Sequence, residues 1–283
     1  VRRVLVTGAS GRLGRAVLRL LAERGVASTG LDLVPVADAP VDRMVIGAAG
    51  DVDAVREALD GADAVVHCAA IPSPFLDTAE RVFGGNSLAT FTVLEQAARA
   101  KVTRAVLAGS QSILGFAFAP SPLVPAYLPI DDDHPLQAAD SYALGKQADE
   151  ATGAMMARRY GMTVITLRYP LLGGLGDRLP TYADRYRYEP QRGAASLWAY
   201  LEDRDAATAA WLALTAQLSG YRMFTVAAPQ TLAAAPTEEL LRRWLPDVPR
   251  RRELPGWTVP LDLAPATEIL GLRPEYLHRP NGS

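Results

Sequence analysis

The chain has 283 residues, 49% of them hydrophobic, with 29 basic against 31 acidic side chains and a formal net charge of −2. That length suits one large domain, or one domain with an appendage, and the balanced charge removes the electrostatic case for a nucleic-acid partner or an anionic membrane surface. One cysteine (Cys68) and three scattered histidines (His67, His134, His278) exclude a disulfide framework and argue against a metal site. With no leader pattern and no apolar run long enough to span a bilayer, the expected location is the cytoplasm.

Over the first two thirds, short β-branched runs alternate with amphipathic segments. Residues 4–6 form an apolar run ending in glycines, after which Leu13, Val17, Leu20 and Leu21 recur at helical spacing. Strands are predicted at 26–31 and 43–46. Asp51 reads as the cap of a helix carrying Val55 and Leu59. A fourth strand at 64–67 leads to a helix over about 77–100 that the Gly84-Gly85 pair could interrupt. Strands at 105–108 and 164–167 flank a helix that contains Tyr142 and Lys146. This alternation predicts an α/β fold, a Rossmann-type doubly wound parallel sheet covered on both faces.

After Leu172 the rhythm changes. Residues 173–196 are rich in Gly, Arg, Tyr and Pro and have little apolar periodicity. A helix from about Asp205, a strand at 222–226, a helix at 237–244 and a short helix near 264–270 follow. Proline breaks at 246–255 separate the last pieces, and the proline-rich stretch 116–135 is expected to form a loop over the site.

A strand that ends in a glycine loop and opens a helix suits a pyrophosphate. Glycines let the backbone turn tightly and come close, and the helix N-terminus offers unpaired N–H donors and partial positive charge. Gly8, Gly11 and Gly14 are spaced for this, with Ser10, Arg12 and Leu13 between them. Asp32 closes the second strand. From there a carboxylate can accept from both adenosine ribose hydroxyls and repel a 2′-phosphate. NAD is therefore expected over NADP, although Arg12 could itself pair with a phosphate.

Tyr142 and Lys146 lie four apart on a predicted helix and share a face. A phenol is a poor base at neutral pH, but a neighbouring ammonium and a nicotinamide ring both favour the phenolate. Ser110 follows the fifth strand, where a hydroxyl can orient a reacting carbinol or carbonyl, and Ser112 is a second candidate.

The Thr-Gly-x-x-Gly-x-x-Gly spacing at 7–14, His67-Cys68-Ala69-Ala70 after the fourth strand, Asn86 and Leu94 on the next helix, and Tyr142-x-x-x-Lys146 together resemble the extended short-chain dehydrogenases/reductases of the NAD-dependent epimerase/dehydratase type. The resemblance covers residues 1–172 well and continues more weakly beyond. It implies an NAD-binding domain with the catalytic group at 1–172 and a small mixed α/β substrate lobe at 173–283, part of which could return to the main sheet. It also implies that Ala69, Ala70 and Asn86 lie along the cofactor and that Ser110, five residues before Gly115, is the active-site hydroxyl. A homodimer would form through the helices after the fourth and fifth strands.

Departures from that pattern narrow the substrate. Ser110-Gln111-Ser112 stands where sugar-nucleotide dehydratases carry Thr-Asp-Glu, so the acid/base pair for dehydration is missing. Leu171 stands where nucleotide-sugar enzymes usually have Asn, and Trp198 where they have a diphosphate-gripping Arg. Ala48 replaces an adenine-binding Asp. Gln111, Ser112, Arg178 and Trp198 are the substrate candidates. Arg178, Arg185, Arg187 and Arg192 read equally as a solvated cluster or a carboxylate or phosphate clamp. Residues 113–116 are similar to hexuronate dehydrogenases, which oxidise ring C1 of a free sugar acid.

The expected function is an NAD-dependent oxidoreductase moving hydride at a secondary alcohol or hemiacetal carbon of a sugar-like small molecule. The alternative is an NAD-dependent (nucleotide-)sugar epimerase that keeps its cofactor bound. A non-catalytic NAD(P) sensor ranks below both, because Tyr142 and Lys146 are both present.

Overall fold

A computed structural model describes residues 1–121 and 123–278; Pro122 of the predicted loop and the last five residues of the predicted lobe lie outside the described residues. The strands are β1 (Arg3–Thr7), β2 (Ala27–Asp32), β3 (Arg43–Ile46), β4 (Ala64–His67), β5 (Arg104–Ser110), β6 (Thr163–Tyr169), β7 (Leu171–Gly173), β8 (Tyr200–Glu202) and β9 (Tyr221–Thr225). Seven of them form one sheet in the order β3-β2-β1-β4-β5-β6-β9, with every neighbouring pair parallel. β7 and β8 pair separately. The chain reverses its direction of travel across the sheet between β1 and β4. The crevice beyond the strand ends at that point is where open α/β sheets bind ligands.

The helices are α1 (Arg12–Glu23), α2 (Val52–Ala58), α3 (Ala79–Arg99), α4 (Ser141–Tyr160), α5 (Arg178–Tyr188), α6 (Asp203–Thr215), α7 (Thr237–Trp244) and α8 (Ala264–Ile269). Apolar side chains of α1 (Val17, Leu18, Leu21), α6 (Ala206, Ala210, Leu214) and α8 (Ala266) cover one face of the sheet. Those of α2 (Val55), α3 (Val93, Ala97) and α4 (Met156) cover the other. Cover on both faces is why the strands read as continuous apolar runs: Val4, Leu5 and Val6 of β1 are each 0% exposed, and each contributes about 1.5–3 kcal/mol of burial. A bidentate ion pair, Arg168 Nε to Glu150 Oε1 at 2.7 Å and Nη2 to Oε2 at 2.8 Å, ties α4 to β6.

α3 runs unbroken through Gly84 and Gly85. Each glycine costs about 1 kcal/mol of helix propensity relative to alanine, and packing along α4 offsets it. The segment 173–196 is likewise more ordered than its composition suggests. It holds α5, whose Leu179, Ala183 and Tyr186 are buried, and a 3-10 helix at Pro190–Ser196.

A second core joins the loop after β5 to the later chain. Ile113, Leu128 and Ile130 pack with Leu179, Trp198, Leu240, Leu254 and Leu261. The proline-rich loop therefore has two parts: Phe116, Ala117 and Phe118 line the cleft, while Leu128 and Ile130 bridge to Arg250 and Leu261. α6 and β9, although late in sequence, belong to the main sheet and its helical layer.

Candidate active site

A cleft of about 490 Å³ opens beyond the C-terminal ends of β1, β4, β5 and β6. Its walls carry Gly8, Gly11, Arg12, Leu13, Gly14 and Ala70 at one end, Ser110, Gln111, Ser112, Tyr142 and Lys146 in the middle, and Arg178, Tyr182, Tyr186 and Arg192 at the other.

The first end is made of backbone. Gly8 has φ +65°, and a Cβ there would lie 2.6 Å from Ala69 N. A Cβ on Gly14 would lie 2.1 Å from Gly8 O. Both positions therefore require glycine. α2 to α6 each begin at a side chain that accepts from its own first turn (Asp51, Thr78, Asp140, Asp177, Glu202). α1 begins at Gly11 with no side-chain cap and no acid in its first turn, leaving its leading N–H groups for an anion. Asp32 Oδ2 accepts from Ser10 N at 2.9 Å and Oδ1 from Leu33 N at 2.7 Å. The carboxylate is thereby fixed at the end of β2 with lone pairs to spare for ribose hydroxyls. The glycine cradle, the uncapped helix and this carboxylate fit a dinucleotide.

Three residues of this group have other engagements. Arg12 Nη1 pairs with Asp177 at 2.9 Å and Asp203 at 2.7 Å, joining the glycine loop to the starts of α5 and α6. Ser10 Oγ donates to Val34 O at 2.8 Å. The buried Asn86 accepts from Ile71 N at 2.8 Å and donates to Ile71 O at 3.1 Å. Its amide holds the loop that carries Ala69 and Ala70. Behind that loop His67 Nδ1 bonds Thr7 Oγ1 at 2.7 Å and Nε2 bonds Thr90 Oγ1 at 3.1 Å. Burial pushes His67 down to about 4 and the Cys68 thiol up to about 12.

In the middle, Asp140 starts α4 by accepting from Tyr142 N and Ala143 N, both at 2.9 Å, and so sets Tyr142 in the first turn. Lys146 follows one turn later with its Nζ 5.8 Å from the Tyr142 ring centroid. Nζ donates to Ala108 O at 2.9 Å and to Asp149 Oδ2 at 3.2 Å. Burial works against the Lys146 ammonium, yet Asp149 and Tyr142 outweigh it and raise the lysine above its ordinary value. Ser110 Oγ accepts from Ser112 N at 3.2 Å and Ser112 Oγ at 2.9 Å, which leaves its own proton free for a ligand oxygen. Gln111 Nε2 is buried without a protein partner. Phe118 packs edge-on to Tyr142 at 6.1 Å and screens it from solvent.

At the far end Arg178 lies 5.3 Å over the Tyr182 ring and donates to Leu172 O at 3.2 Å. Arg192 pairs with Glu189 at 2.8 Å. Arg185 also covers Tyr182, whereas Arg187 faces Asp184 away from the cleft walls. Trp198 is a correction. It is 0% exposed, its Nε1 donates to Pro190 O at 2.7 Å, and Leu197 is the neighbour that reaches the wall. Left-handed backbone at Leu197 (φ +56°) and Trp198 (φ +52°) turns the indole inward. Sequence reasoning missed Asp149, Phe118, Tyr182 and Tyr186. The Lys-x-x-Asp spacing of Lys146 and Asp149 was the available signal for the first.

Comparison with known proteins bears on the family and the fold. The chain is 32% identical over 174 residues to an L-arabinose 1-dehydrogenase (NAD(P)(+)) of Haloferax volcanii, covering 59% of this chain and 65% of the relative. It is 27% identical over 206 residues to a uronate dehydrogenase of Pseudomonas syringae, covering 71% and 66%. The match thus spans just under two thirds of the length of these curated relatives. Among solved structures, a short-chain dehydrogenase/reductase superfamily protein of Agrobacterium tumefaciens with bound NAD superposes with a TM-score of 0.73 at 24% identity over 97% of this chain and 93% of that one. A UDP-glucose 4-epimerase of Brucella ovis in complex with NAD gives 0.73 at 20% identity over 98% and 94%. Residues 4–227 match the family described as NAD dependent epimerase/dehydratase, and the chain belongs to that family.

Proposed function

We propose that the protein is an NAD-dependent oxidoreductase acting at a secondary alcohol or hemiacetal carbon of a sugar-like small molecule. One observation carries this reading: Ser110, Tyr142 and Lys146 open onto the same cleft as the glycine loop. NAD held there would supply a hydride acceptor. Ser110 donates to the substrate oxygen and orients it, and Tyr142 Oη takes the carbinol proton. The buried Lys146 ammonium favours the phenolate form of Tyr142, which becomes the neutral phenol as it accepts that proton. Asp32 at the end of β2 supports NAD over NADP. The name of the curated L-arabinose 1-dehydrogenase supports ring C1 as the reacting carbon. We place a homodimer contact on the outer faces of α3 and α4, where Phe83, Leu88, Phe91 and Leu144 are exposed.

Free aldoses and hexuronates screened with NAD should give net NADH with one of them, and Tyr142→Phe should lower kcat about a thousandfold. Full turnover by Tyr142→Phe would overturn the reading. NAD that stays bound through purification, with a sugar interconverted and no net NADH, would replace it with epimerisation.

A further inference from the structure

Lys146 and Asp149 form a buried ion pair one helical turn below Tyr142, each side chain 5% exposed. Two of the three ammonium protons are committed, one to Ala108 O and one to Asp149 Oδ2, which leaves the third for the Tyr142 side and the cleft. Asp149 is the one ion-pair partner of Lys146 among the described residues. Its second oxygen, Oδ1, is buried with no protein partner, so this carboxylate serves no helix cap and no loop. Burial of a carboxylate left half unpaired is costly in a purely structural role.

The surrounding groups make Asp149 more consequential. From β4, His67 is held neutral, and Cys68 just after it is held as the thiol. From β6, Tyr169 sits far above its ordinary value through burial, and Arg168 is occupied by Glu150, the residue after Asp149. From β9, burial pushes Tyr221 upward as well. At neutral pH none of these four uncharged groups can balance an ammonium.

We propose that Asp149 is a positioning residue for the reaction assigned above: its carboxylate keeps Lys146 charged and aimed, so that one N–H and the full positive charge stay available beside Tyr142. A lysine this deeply buried with no counter-charge would give up its proton. The proposal rests on the Tyr142–Lys146 reading for its meaning in catalysis, although the pair itself can be tested without turnover.

Lys101 and Lys146 are the two lysines of the chain, and Lys101 is exposed just past the end of α3. Protein carrying 13Cε-lysine therefore gives two resonances to follow through a pH titration. In the wild type Lys146 should titrate above the ordinary lysine value. In Asp149→Asn it should titrate below that value, and Asp149→Glu should restore the wild-type behaviour. With a substrate in hand, the alkaline limb of kcat in Asp149→Asn should move to lower pH, with at least a tenfold loss on that limb and an unchanged KM for the sugar. A wild-type Lys146 that titrates below the ordinary lysine value overturns the proposal, and that measurement needs no variant to fold. An unmoved Lys146 in folded Asp149→Asn overturns it too. Lysine shifts as expected in a protein that turns over no alcohol would instead retire the oxidoreductase reading and leave the ion pair standing.

Discussion

The two ends of the cleft are built differently. At the end proposed for the phosphates the wall is mainly main chain: glycines without room for a Cβ, a helix left uncapped, and one carboxylate side chain, all within the first 32 residues. At the far end the wall is side chains, with Arg178, Tyr182 and Tyr186 on α5 and Arg192 and Ser196 on the following 3-10 helix. Main-chain recognition demands fixed spacing and leaves a pattern in the sequence. Side-chain recognition from separate elements tolerates replacement, so its chemistry can differ between relatives on the same frame.

The sharpest test of this contrast is Gly14→Ala. Its Cβ would meet Gly8 O at 2.1 Å, so NAD affinity should fall about a thousandfold by titration calorimetry while circular dichroism stays native. Unchanged affinity would mean that the loop is not the anion cradle.

A second test asks whether rigidity is concentrated behind the phosphate end. His67 is held down at about 4 by burial, against about 6.5 in an unfolded chain. The unfolded state therefore binds the extra proton first. The stability due to neutral His67 is complete above about pH 6.5 and is lost as pH falls toward 4, to the extent of about 3 kcal/mol. Urea midpoints measured across that window should show the slope, and His67→Gln should flatten it. A slope that survives in His67→Gln would place the acid sensitivity elsewhere.

The smallest expected effect belongs to the far end. Arg178→Ala should raise KM for an anionic sugar about tenfold, leave kcat within about twofold and leave NAD affinity unchanged. The same variant acting equally on an uncharged sugar would remove the clamp reading in favour of packing against Tyr182.

Much of the sheet and the phosphate end could be read from the sequence because period and glycine spacing are local properties. The Tyr142–Lys146 face was legible for the same reason. Long-range partners were not. Arg12 meets Asp177 and Asp203 across separations of 165 and 191 residues, and no window of sequence contains both sides. α5 was hidden by its exposed arginines and tyrosines, although Leu179, Ala183 and Tyr186 stand at helical spacing. Trp198 read as a ligand contact because it stands where nucleotide-sugar enzymes carry a diphosphate-gripping Arg. Two successive left-handed residues decided its direction, and neither is a glycine that would have signalled them.

The position of β9 has a consequence for how this molecule is made. β6 is flanked by β5 on one side and receives its other neighbour only when residues 221–225 have been synthesised. Until then a nascent chain carries an open parallel edge, and before residue 215 it also lacks the α6 layer that packs beside α1 and over β4, β5 and β6. Open edges invite pairing with other chains. A fragment ending at residue 172 would keep the glycine loop, Tyr142 and Lys146 and still be missing a wall of its own core, so the chain must be finished well past these motifs before the sheet that carries them is complete.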